Sequence, residues 1–228
     1  MIAFACVLQN APKCPYTIEY ITRMQATIFQ AYRYVHAFFV LTDLPRPSWF
    51  VDTATQMCRW EEINGWPGWW SKIELFRPGR FHGFDRVVYF DLDTVIYNLD
   101  WVHGLPSGRF AALTDWLEPP WMNSSVMSWE PGNDTDEIYH RFASNPTEYQ
   151  KIYRRYPDMW GDQGFIQGML QHVGKPIAYL QDLFPGEFTS FKVHSVPEKQ
   201  RSSVVCFHGR PRPHEVNFDG TAHFSRRR

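Results

Sequence analysis

Two aspartates that follow a hydrophobic segment are the residues best suited to chemistry in this sequence. Asp91 and Asp93 come after the apolar run Arg86–Phe90 and are separated by one leucine. Residues i and i+2 of an extended chain point to the same side, so the two carboxylates share one side. Their charges repel each other unless a cation lies between them, and carboxylate oxygens suit Mn²⁺ or Mg²⁺. The pair indicates a metal site, with a simple turn as the structural alternative.

The segments around this pair alternate between strand and helix patterns. Ile2–Leu8 and His36–Leu41 are short apolar runs, typical of strands buried on both faces. Between them, Thr17–Tyr32 has apolar residues at helical spacing and a threonine that can cap its start. A strand, a helix and a strand in this order predict a parallel sheet. Ligands of such sheets collect at the carboxyl ends of the strands, where Asp91 and Asp93 lie.

The rest of the chain predicts further elements of both kinds, with an irregular segment over residues 45–68, which is rich in proline and tryptophan. The remaining predicted strands are Arg86–Phe90, Phe110–Leu113, Val126–Trp129, Ile177–Tyr179, Phe191–Val193 and Val204–Phe207. The remaining predicted helices are Trp69–Phe76, Glu137–Ser144, Thr147–Tyr156 and Gln163–His172. Without a repeat or linker, the sequence predicts one α/β domain over residues 1–216, with a mostly parallel central sheet flanked by helices, and a polar tail over residues 217–228.

The composition describes an ordinary globular chain with balanced charge. Its 228 residues include 23 Lys and Arg against 24 Asp and Glu, a net charge of −1. A general nucleic-acid binder needs a surplus of basic residues, so this balance argues against nucleic acid as a partner. We expect no transmembrane helix and no signal peptide, because the sequence has no long apolar stretch and no basic leader. Four separated cysteines favour a reducing, cytoplasmic location and argue against structural zinc.

Two enzyme classes place an aspartate pair of this kind after a hydrophobic strand. In haloacid-dehalogenase-like phosphatases, Asp91, Asp93 and Val95 would form the DxDx(T/V) motif, with the first aspartate as nucleophile. That fold normally opens with the motif strand and needs a later acidic pair, whereas here a βαβ unit precedes and Asp162 stands alone until Asp182. In glycosyltransferases with a DxD motif, the pair holds a metal on a nucleotide diphosphate. The phosphatase is the weaker alternative.

The order of five segments resembles the glycogenin-like glycosyltransferases, family eight, over nearly the whole chain. The matching segments are Trp70–Leu75, Asp91–Asp93, Asn123–Met127, Gly161–Gly164 and Val204–Pro213. This resemblance implies a GT-A (Rossmann-like) fold, a Mn²⁺ or Mg²⁺ cofactor, and transfer of a sugar from a nucleotide-diphosphate sugar. The choice of UDP over GDP and the retention of anomeric configuration rest on the resemblance alone. A nucleotide-sugar-binding module without catalysis is a further alternative.

The resemblance implies a third metal ligand late in the chain, beside Asp91 and Asp93. Spacing to Gly209 puts the family's histidine at Cys206, while His208 lies two residues further on. Positions i and i+2 of a strand face the same way, and imidazole suits Mn²⁺ better than a thiol does. The sequence therefore favours His208 as the ligand. Cys206 at that position, or a purely structural His208, are the alternatives.

The resemblance also implies how the diphosphate and the sugar are held. Lys72 and Arg212 match the family's basic positions at the diphosphate, and Gly209 lets the backbone approach the phosphates. Asp162 and Gln163 match residues that face the donor sugar. There, Asp162 would bind sugar hydroxyls and Gln163 would stabilise the cationic anomeric carbon. Asp162 can also cap the helix that follows, and both roles are compatible.

Further residues match positions around the nucleotide sugar. Asn123 and Ser124 would bind sugar hydroxyls, although Ser125 replaces the family's glycine. The remaining positions implied at the nucleotide sugar are Val7, Leu8, Gln9, Asn10, Tyr16 and Leu92. Tyr16, or alternatively Tyr20, would stack on the base.

The acceptor, which can be a carbohydrate, a lipid or a protein, and the oligomeric state are not indicated by the sequence. Ten tryptophans contribute to an aromatic content of 17%. Four of them precede Lys72: Trp60, Trp66, Trp69 and Trp70. Core packing is the predicted use of most of this group, and one or two can form an acceptor platform.

Overall fold

The structure, a computed structural model, describes residues 1–12, 14–155 and 161–216. Its strands in chain order are β1 (Ile2–Leu8), β2 (His36–Thr42), β3 (Gln56–Glu62), β4 (Arg86–Phe90), β5 (Thr94–Ile96), β6 (Phe110–Thr114), β7 (Met122–Trp129), β8 (Ile177–Tyr179), β9 (Phe188–Ser190) and β10 (Val204–Cys206). Its α-helices are α1 (Ile18–Ala31), α2 (Asn133–Ser144), α3 (Pro146–Arg155), α4 (Gly161–His172), α5 (Leu180–Leu183) and α6 (Val196–Arg201). Its 3-10 helices are Gly68–Phe76, Asp100–Gly104 and Pro213–Val216.

The central sheet has seven strands in the order β3-β2-β1-β4-β7-β6-β8. The strands from β3 to β4 run parallel, β7 is antiparallel to both of its neighbours, and β8 is parallel to β6. This mostly parallel sheet, flanked by helices, confirms the α/β class that the sequence predicts. The carboxyl ends of β1 and β4 lie side by side, so the chain that follows each of them reaches the same edge.

A three-stranded sheet in the order β5-β10-β9 covers the turn after β4. Strand β5 begins at Thr94, directly after Asp93, and pairs antiparallel with β10 so that Cys206 lies opposite Thr94. The late strand β10 therefore brings the C-terminal segment of the described chain next to the two aspartates.

Alternate side chains of β1 enter two hydrophobic cores, one on each face of the central sheet. Phe4 and Leu8 pack with α1 residues such as Ile21 on one face. Ala5 packs with Trp70 and with residues of α2 and α4 on the other face. Because β1 is covered on both sides, it reads as a continuous apolar run. The start of α1 is fixed by the side chain of Thr17, which accepts a hydrogen bond from the backbone of Glu19.

Three element predictions need correction. Residues 45–68 are not wholly irregular, because they contain β3, an edge strand whose polar Arg59 and Glu61 hide the strand pattern. The predicted strand Phe191–Val193 is wrong, since the strand is β9. The Ser190 hydroxyl accepts backbone N–H bonds from Lys192 and Val193 and turns the chain there. The predicted helix Trp69–Phe76 is a 3-10 helix.

Several boundaries also differ from the sequence prediction: α2 begins at Asn133 and not at Glu137, α4 begins at Gly161 and not at Gln163, and β10 ends at Cys206 and not at Phe207. Strand β7 begins at Met122, so that Asn123, Ser124 and Ser125 belong to a buried strand. Helix α3 ends at Arg155 in the described residues, and Tyr156, like the predicted tail over 217–228, lies outside them.

None of the described helices combines the length and apolar character needed to cross a membrane. The four cysteines are free thiols.

Candidate active site

Asp91 and Asp93 lie in a turn at the carboxyl edge of the central sheet. The backbone N–H of Asp91 donates to the Ser125 carbonyl at 2.8 Å, which continues the pairing with β7 past the end of β4. The N–H of Thr94 donates to the Asp91 carbonyl at 3.0 Å and closes the turn. Asp93 is 3% exposed and the Asp91 side chain 21%. The predicted position of the pair, at the end of a buried strand, is confirmed.

Lys72 joins this turn to the start of α4. Its Nζ lies 2.8 Å from Asp91 Oδ1 and 3.3 Å from Asp162 Oδ2. It also donates to Ser124 Oγ at 3.0 Å, and that hydroxyl donates to Asp162 Oδ2 at 2.7 Å. We call these four residues (Lys72, Asp91, Ser124 and Asp162) the lysine cluster. The resemblance assigned Lys72 to the diphosphate, and in the structure its ammonium group lies between two carboxylates.

The charges of the lysine cluster support one another in a dry environment. Burial would lower the pKa of Lys72, but the nearby carboxylates of Asp162 and Asp91 outweigh burial and raise it. Burial raises the pKa of Asp162, while the positive charge of Lys72 and the Ser124 hydroxyl oppose that rise. Lys72 therefore stays protonated, and Asp162 depends on it to stay ionised.

Tyr89 is a site residue that sequence reasoning missed. Its hydroxyl donates to Asp91 Oδ1 at 2.5 Å, and its ring lies 5.7 Å from Lys72 Nζ. Burial and then the charge of Asp91 raise the pKa of Tyr89, so the phenol stays protonated and keeps donating. The sequence does indicate this contact, because Tyr89 stands two residues before Asp91 and faces the same side of the extended chain.

Asp93 is held by residues from both ends of the chain. The Tyr16 hydroxyl donates to Asp93 Oδ2 at 2.8 Å, and the Gly209 N–H reaches the same oxygen at 3.5 Å. The Arg212 guanidinium lies over the Tyr16 ring, 5.2 Å from its centroid. Burial and then the charge of Asp91 raise the pKa of Asp93. The repulsion between Asp91 and Asp93 is partly relieved by the positive charge of Lys72, which contacts Asp91.

Asp115 is a second residue that sequence reasoning missed. Its Oδ2 accepts hydrogen bonds from Asn123 Nδ2 at 3.3 Å and Gln163 Nε2 at 3.5 Å. Asp115 follows β6 directly, as Asp91 follows β4, and β6 runs in the same direction as β4 because β7 is antiparallel to both. The position of Asp115 directly after a strand is therefore the sequence feature that indicates a site residue. Asp115 therefore holds both Asn123 and Gln163, two side chains that are predicted to lie at the donor sugar.

His208 and Cys206, the alternatives for the third metal ligand, have different surroundings. His208 Nε2 lies 2.6 Å from Ser190 Oγ, and the imidazole stacks on Trp116 with centroids 5.6 Å apart. His208 has a φ of +35°, a region that residues other than glycine rarely adopt. Burial lowers the pKa of His208, which keeps the imidazole neutral. Cys206 is fully buried, and burial, followed by the charges of Asp93 and Asp91, raises the pKa of its thiol.

No complete set of protein ligands for a metal ion is preassembled in the part of the chain that the structure describes. Within residues 1–12, 14–155 and 161–216, no three His, Cys, Asp or Glu side chains converge as a metal site. Asp91, Asp93 and His208 are therefore near neighbours along the sheet edge and not a converged triad. The assignment of His208 stays a prediction.

The apolar residues expected at the nucleotide are buried, and the polar ones hold neighbouring loops. Val7 and Leu8 are buried in the two cores at the end of β1, and Leu92 is 7% exposed. Gln9 Oε1 accepts a hydrogen bond from the Gly68 N–H at 2.6 Å, which fastens the 3-10 helix carrying Lys72 to the end of β1. The Asn10 N–H donates to Asp43 Oδ1 at 2.7 Å.

A cleft of about 250 Å³ opens at the opposite end of the sheet, where β4 begins and β7 ends. It is lined by residues such as Phe81, Trp129 and Thr135. None of the residues that the sequence singles out for chemistry is among its described lining residues, so we place the candidate active site at the aspartate turn and the lysine cluster.

The fold is shared with solved structures of the galactosyltransferase LgtC. LgtC in complex with donor and acceptor sugar analogs matches with a TM-score of 0.63 and 12% sequence identity, covering 96% of this chain and 95% of that chain. An active-site mutant of LgtC matches with a TM-score of 0.64 and 12% identity, covering 92% of this chain and 89% of that chain. The chain has the GT-A fold. At this identity the likeness establishes the fold and not the reaction, and the fold that the resemblance implied is confirmed.

No protein-family model and no curated protein matches the sequence.

Proposed function

We propose that this chain is a metal-dependent glycosyltransferase that moves a sugar from a nucleotide-diphosphate sugar, a UDP-sugar, to an acceptor hydroxyl with retention of configuration. The observation that carries the proposal is the lysine cluster beside Asp93, at the carboxyl edge of a sheet with the GT-A fold. Structural neighbours with this fold are galactosyltransferase structures, one of them with donor and acceptor sugar analogs.

The residues present fit a Mn²⁺ or Mg²⁺ ion that is shared with a diphosphate. Such ions are commonly held by one or two carboxylates together with substrate phosphates, without a complete protein cage. Asp91 and Asp93 supply the carboxylates, and burial together with like charge makes the pair favourable for a cation. When bound, the ion would stabilise the negative charge that grows on the leaving diphosphate. His208 is the proposed third protein ligand.

Basic and backbone donors near Asp93 suit the phosphates. The Arg212 guanidinium lies over the Tyr16 ring, and its buried Nε has no hydrogen-bond partner among the described residues. A guanidinium can bind phosphate oxygens through two N–H groups. Gly209 has a φ of +103°, and its N–H points towards Asp93. Tyr16 lies between Arg212 and Asp93 and is our proposed stacking surface for the base.

Asp162 and Gln163, at the start of α4, are the proposed catalytic residues. Transfer breaks the bond between the anomeric carbon and the diphosphate, and positive charge develops on that carbon. Lys72 and Ser124 hold Asp162 in one orientation, where its carboxylate can accept hydrogen bonds from the donor sugar. Asp115 fixes the amide of Gln163, whose carbonyl oxygen is then free to face the developing charge.

The phosphatase alternative gains no support from the structure. Three strands precede β4 in the chain, whereas that class opens with the motif strand. The binding module without catalysis differs from our proposal only in turnover, so one assay separates the two.

The test is donor binding followed by donor hydrolysis. We expect UDP with Mn²⁺ to raise the melting temperature, and a panel of UDP-sugars with Mn²⁺ to include one that is slowly hydrolysed. Asp93→Ala should remove both effects. Absence of binding by UDP with Mn²⁺ would refute the proposal, while binding without hydrolysis or transfer would favour the non-catalytic module. Turnover of an aryl phosphate that is lost in Asp91→Asn would favour the phosphatase.

A further inference from the structure

Trp69 is the exposed member of the tryptophan group that precedes Lys72. Trp70 is buried and stacks on Phe142 with centroids 4.9 Å apart, and Trp66 packs edge-on against the same ring at 4.9 Å. Trp60 packs on Phe50 at 5.1 Å. These three follow the predicted use in core packing. Trp69 is 50% exposed, which leaves a large apolar ring facing solvent.

The position of Trp69 places it at the rim of the candidate active site. Residues i and i+3 of a 3-10 helix lie on the same side, so Trp69 shares a side with Lys72. Its indole also lies against Gly161, where an added Cβ would be only 2.5 Å from Trp69 Nε1. The ring therefore borders the residue that immediately precedes Asp162.

The backbone beneath Trp69 is firmly held. The Gly68 N–H donates to Gln9 Oε1 at 2.6 Å, and Ser71 Oγ donates to the Gly68 carbonyl at 2.8 Å. The neighbouring Trp70 is anchored in the core. An exposed aromatic ring on a fixed backbone, beside a cluster of polar groups, suits a ligand site, because less conformational entropy is lost on binding.

We propose that the indole of Trp69 is the stacking surface for a pyranose ring of the acceptor, which makes the acceptor a saccharide. A pyranose has an apolar C–H face that packs on an aromatic ring, and hydroxyls around its edge. Trp69 offers one ring, which lies against Gly161 next to Asp162 and stands on the same side of its 3-10 helix as Lys72, so polar groups adjoin it. A lipid acceptor would instead require a continuous apolar groove. The inference rests on the proposed function, because it assigns the second substrate of the same site.

The experiment combines binding and kinetics in four proteins: wild type, Trp69→Leu, Trp69→Tyr and Trp49→Leu. Leucine keeps apolar bulk against Gly161 without an aromatic face, and tyrosine keeps a ring. Trp49 is the matched control, because it is 43% exposed and packs beside Phe50, which belongs to the core on the opposite face of the sheet. Saturation-transfer NMR with maltose, cellobiose and lactose, in the presence of UDP and Mn²⁺, reports binding of saccharides.

We expect wild type and Trp49→Leu to show saturation transfer from at least one of these sugars. Trp69→Leu should lose it, and Trp69→Tyr should keep most of it. For the sugar that is used as acceptor, Trp69→Leu should raise KM at least tenfold while UDP affinity stays within twofold. Equal saccharide binding by Trp69→Leu and wild type, or no saccharide binding by wild type, would overturn the inference.

The outcome is distinguishable from failure of the proposed function. If UDP with Mn²⁺ does not bind, the proposed function fails on that measurement alone, whatever the sugars do. If UDP with Mn²⁺ binds but only lipid or peptide hydroxyls accept a sugar, the proposed function stands and the inference about Trp69 fails.

Discussion

Lys72 and Asp162 form an ion pair of 3.3 Å that fastens the first turn of α4 to the 3-10 helix Gly68–Phe76. The same ammonium group contacts Asp91 at 2.8 Å, so one lysine fixes carboxylates from two different elements. These contacts are shielded from water, with the Lys72 side chain 12% exposed. Removal of the lysine would leave two carboxylates without their counter-ion, which is far more damaging than loss of a surface pair.

Lys72→Met is expected to destabilise the protein by roughly 3–5 kcal/mol, the range for a buried pair that loses one partner. The effect should depend on pH. Burial raises the pKa of Asp162 above its usual range and Lys72 opposes that rise, so the variant has a still higher Asp162 pKa. A raised carboxyl pKa favours folding at low pH, and this stability is lost as pH rises towards the folded-state pKa. The melting-temperature deficit should therefore be smaller at pH 5 than at pH 8.

The control for Lys72→Met is the double variant Lys72→Met/Asp162→Asn. Asparagine removes the unpaired charge of Asp162 but still accepts a hydrogen bond from Ser124. We expect the double variant to be more stable than Lys72→Met at pH 8. Additive losses in the double-mutant cycle would contradict a direct pairing of the two residues.

Asp93→Asn is expected to stabilise the metal-free protein while it abolishes the effect of Mn²⁺. Burial and the charge of Asp91 raise the pKa of Asp93, so its ionised form is disfavoured in the fold. Asparagine removes that charge and keeps an acceptor for Tyr16. A gain of about 1 kcal/mol corresponds to roughly 2–4 °C in Tm for a domain of this size.

The measurement is Tm at pH 8 and pH 5, with and without UDP and Mn²⁺. The gain from Asp93→Asn should shrink at pH 5, where the wild-type carboxyl is closer to protonation. The exposed Asp182→Asn serves as a charge-matched control, with no change expected. A variant that loses stability at pH 8 would show that Asp93 supports the fold rather than straining it.

Gly161→Ala is expected to disturb the start of α4 through two separate effects. Gly161 has a φ of +57°, which costs an L-residue about 1–2 kcal/mol, and its Cβ would meet Trp69 Nε1 at 2.5 Å. Gly79→Ala isolates the first effect, because Gly79 has a φ of +77° and nothing within 4 Å of its Cβ. Urea unfolding gives the stability of both variants, and donor hydrolysis gives their kcat. Gly161→Ala should lose more stability and at least tenfold in kcat, whereas Gly79→Ala should keep full activity.

Asp115→Asn is expected to reduce kcat for donor hydrolysis roughly tenfold, about 1.4 kcal/mol in the barrier, with UDP affinity within twofold. Oδ1 of Asp115 accepts backbone N–H bonds from Leu117 and Glu118, while Oδ2 accepts from the two amides. Asparagine has one oxygen and one NH₂ group, so it cannot accept at both positions. Gln163→Ala should have a comparable effect, and the double variant should fall little further, because both changes act on the orientation of the same amide. Fully additive losses would show that Asp115 does not position Gln163.

The sequence predicts much of the fold because the inner strands are plainly patterned. β1, β2 and β4 are covered on both faces and therefore read as short apolar runs between polar loops. β3 escaped prediction since an edge strand needs less apolar surface and carries Arg59 and Glu61 on its partly exposed side. The misplacement of β9 has a different cause: the Ser190 hydroxyl creates a turn that overrides the alternation in Phe191–Val193.

For the site, the position of Asp91 and Asp93 after a strand predicted their place at the sheet edge, and the resemblance to family eight added Lys72 and Asp162. The structure brings these residues together. The sequence does not show which oppositely charged side chain each of these residues contacts. The resemblance assigned Lys72 to the diphosphate, whereas its contacts with Asp91 and Asp162 join distant segments and are not readable from one sequence. Tyr89 and Asp115 share one feature with Asp91, because each is a polar side chain within two residues of the carboxyl end of a strand.

The pairing of β10 with β5 also bears on when the active site can exist during synthesis. The Gly209 N–H reaches Asp93 across 116 positions of sequence, and Cys206 lies opposite Thr94 in the small sheet. When β1 to β7 have been synthesised, the aspartate turn still lacks its contacts with β10 and Gly209. The aspartate turn is therefore completed only after Gly209 has been translated, 116 positions after Asp93.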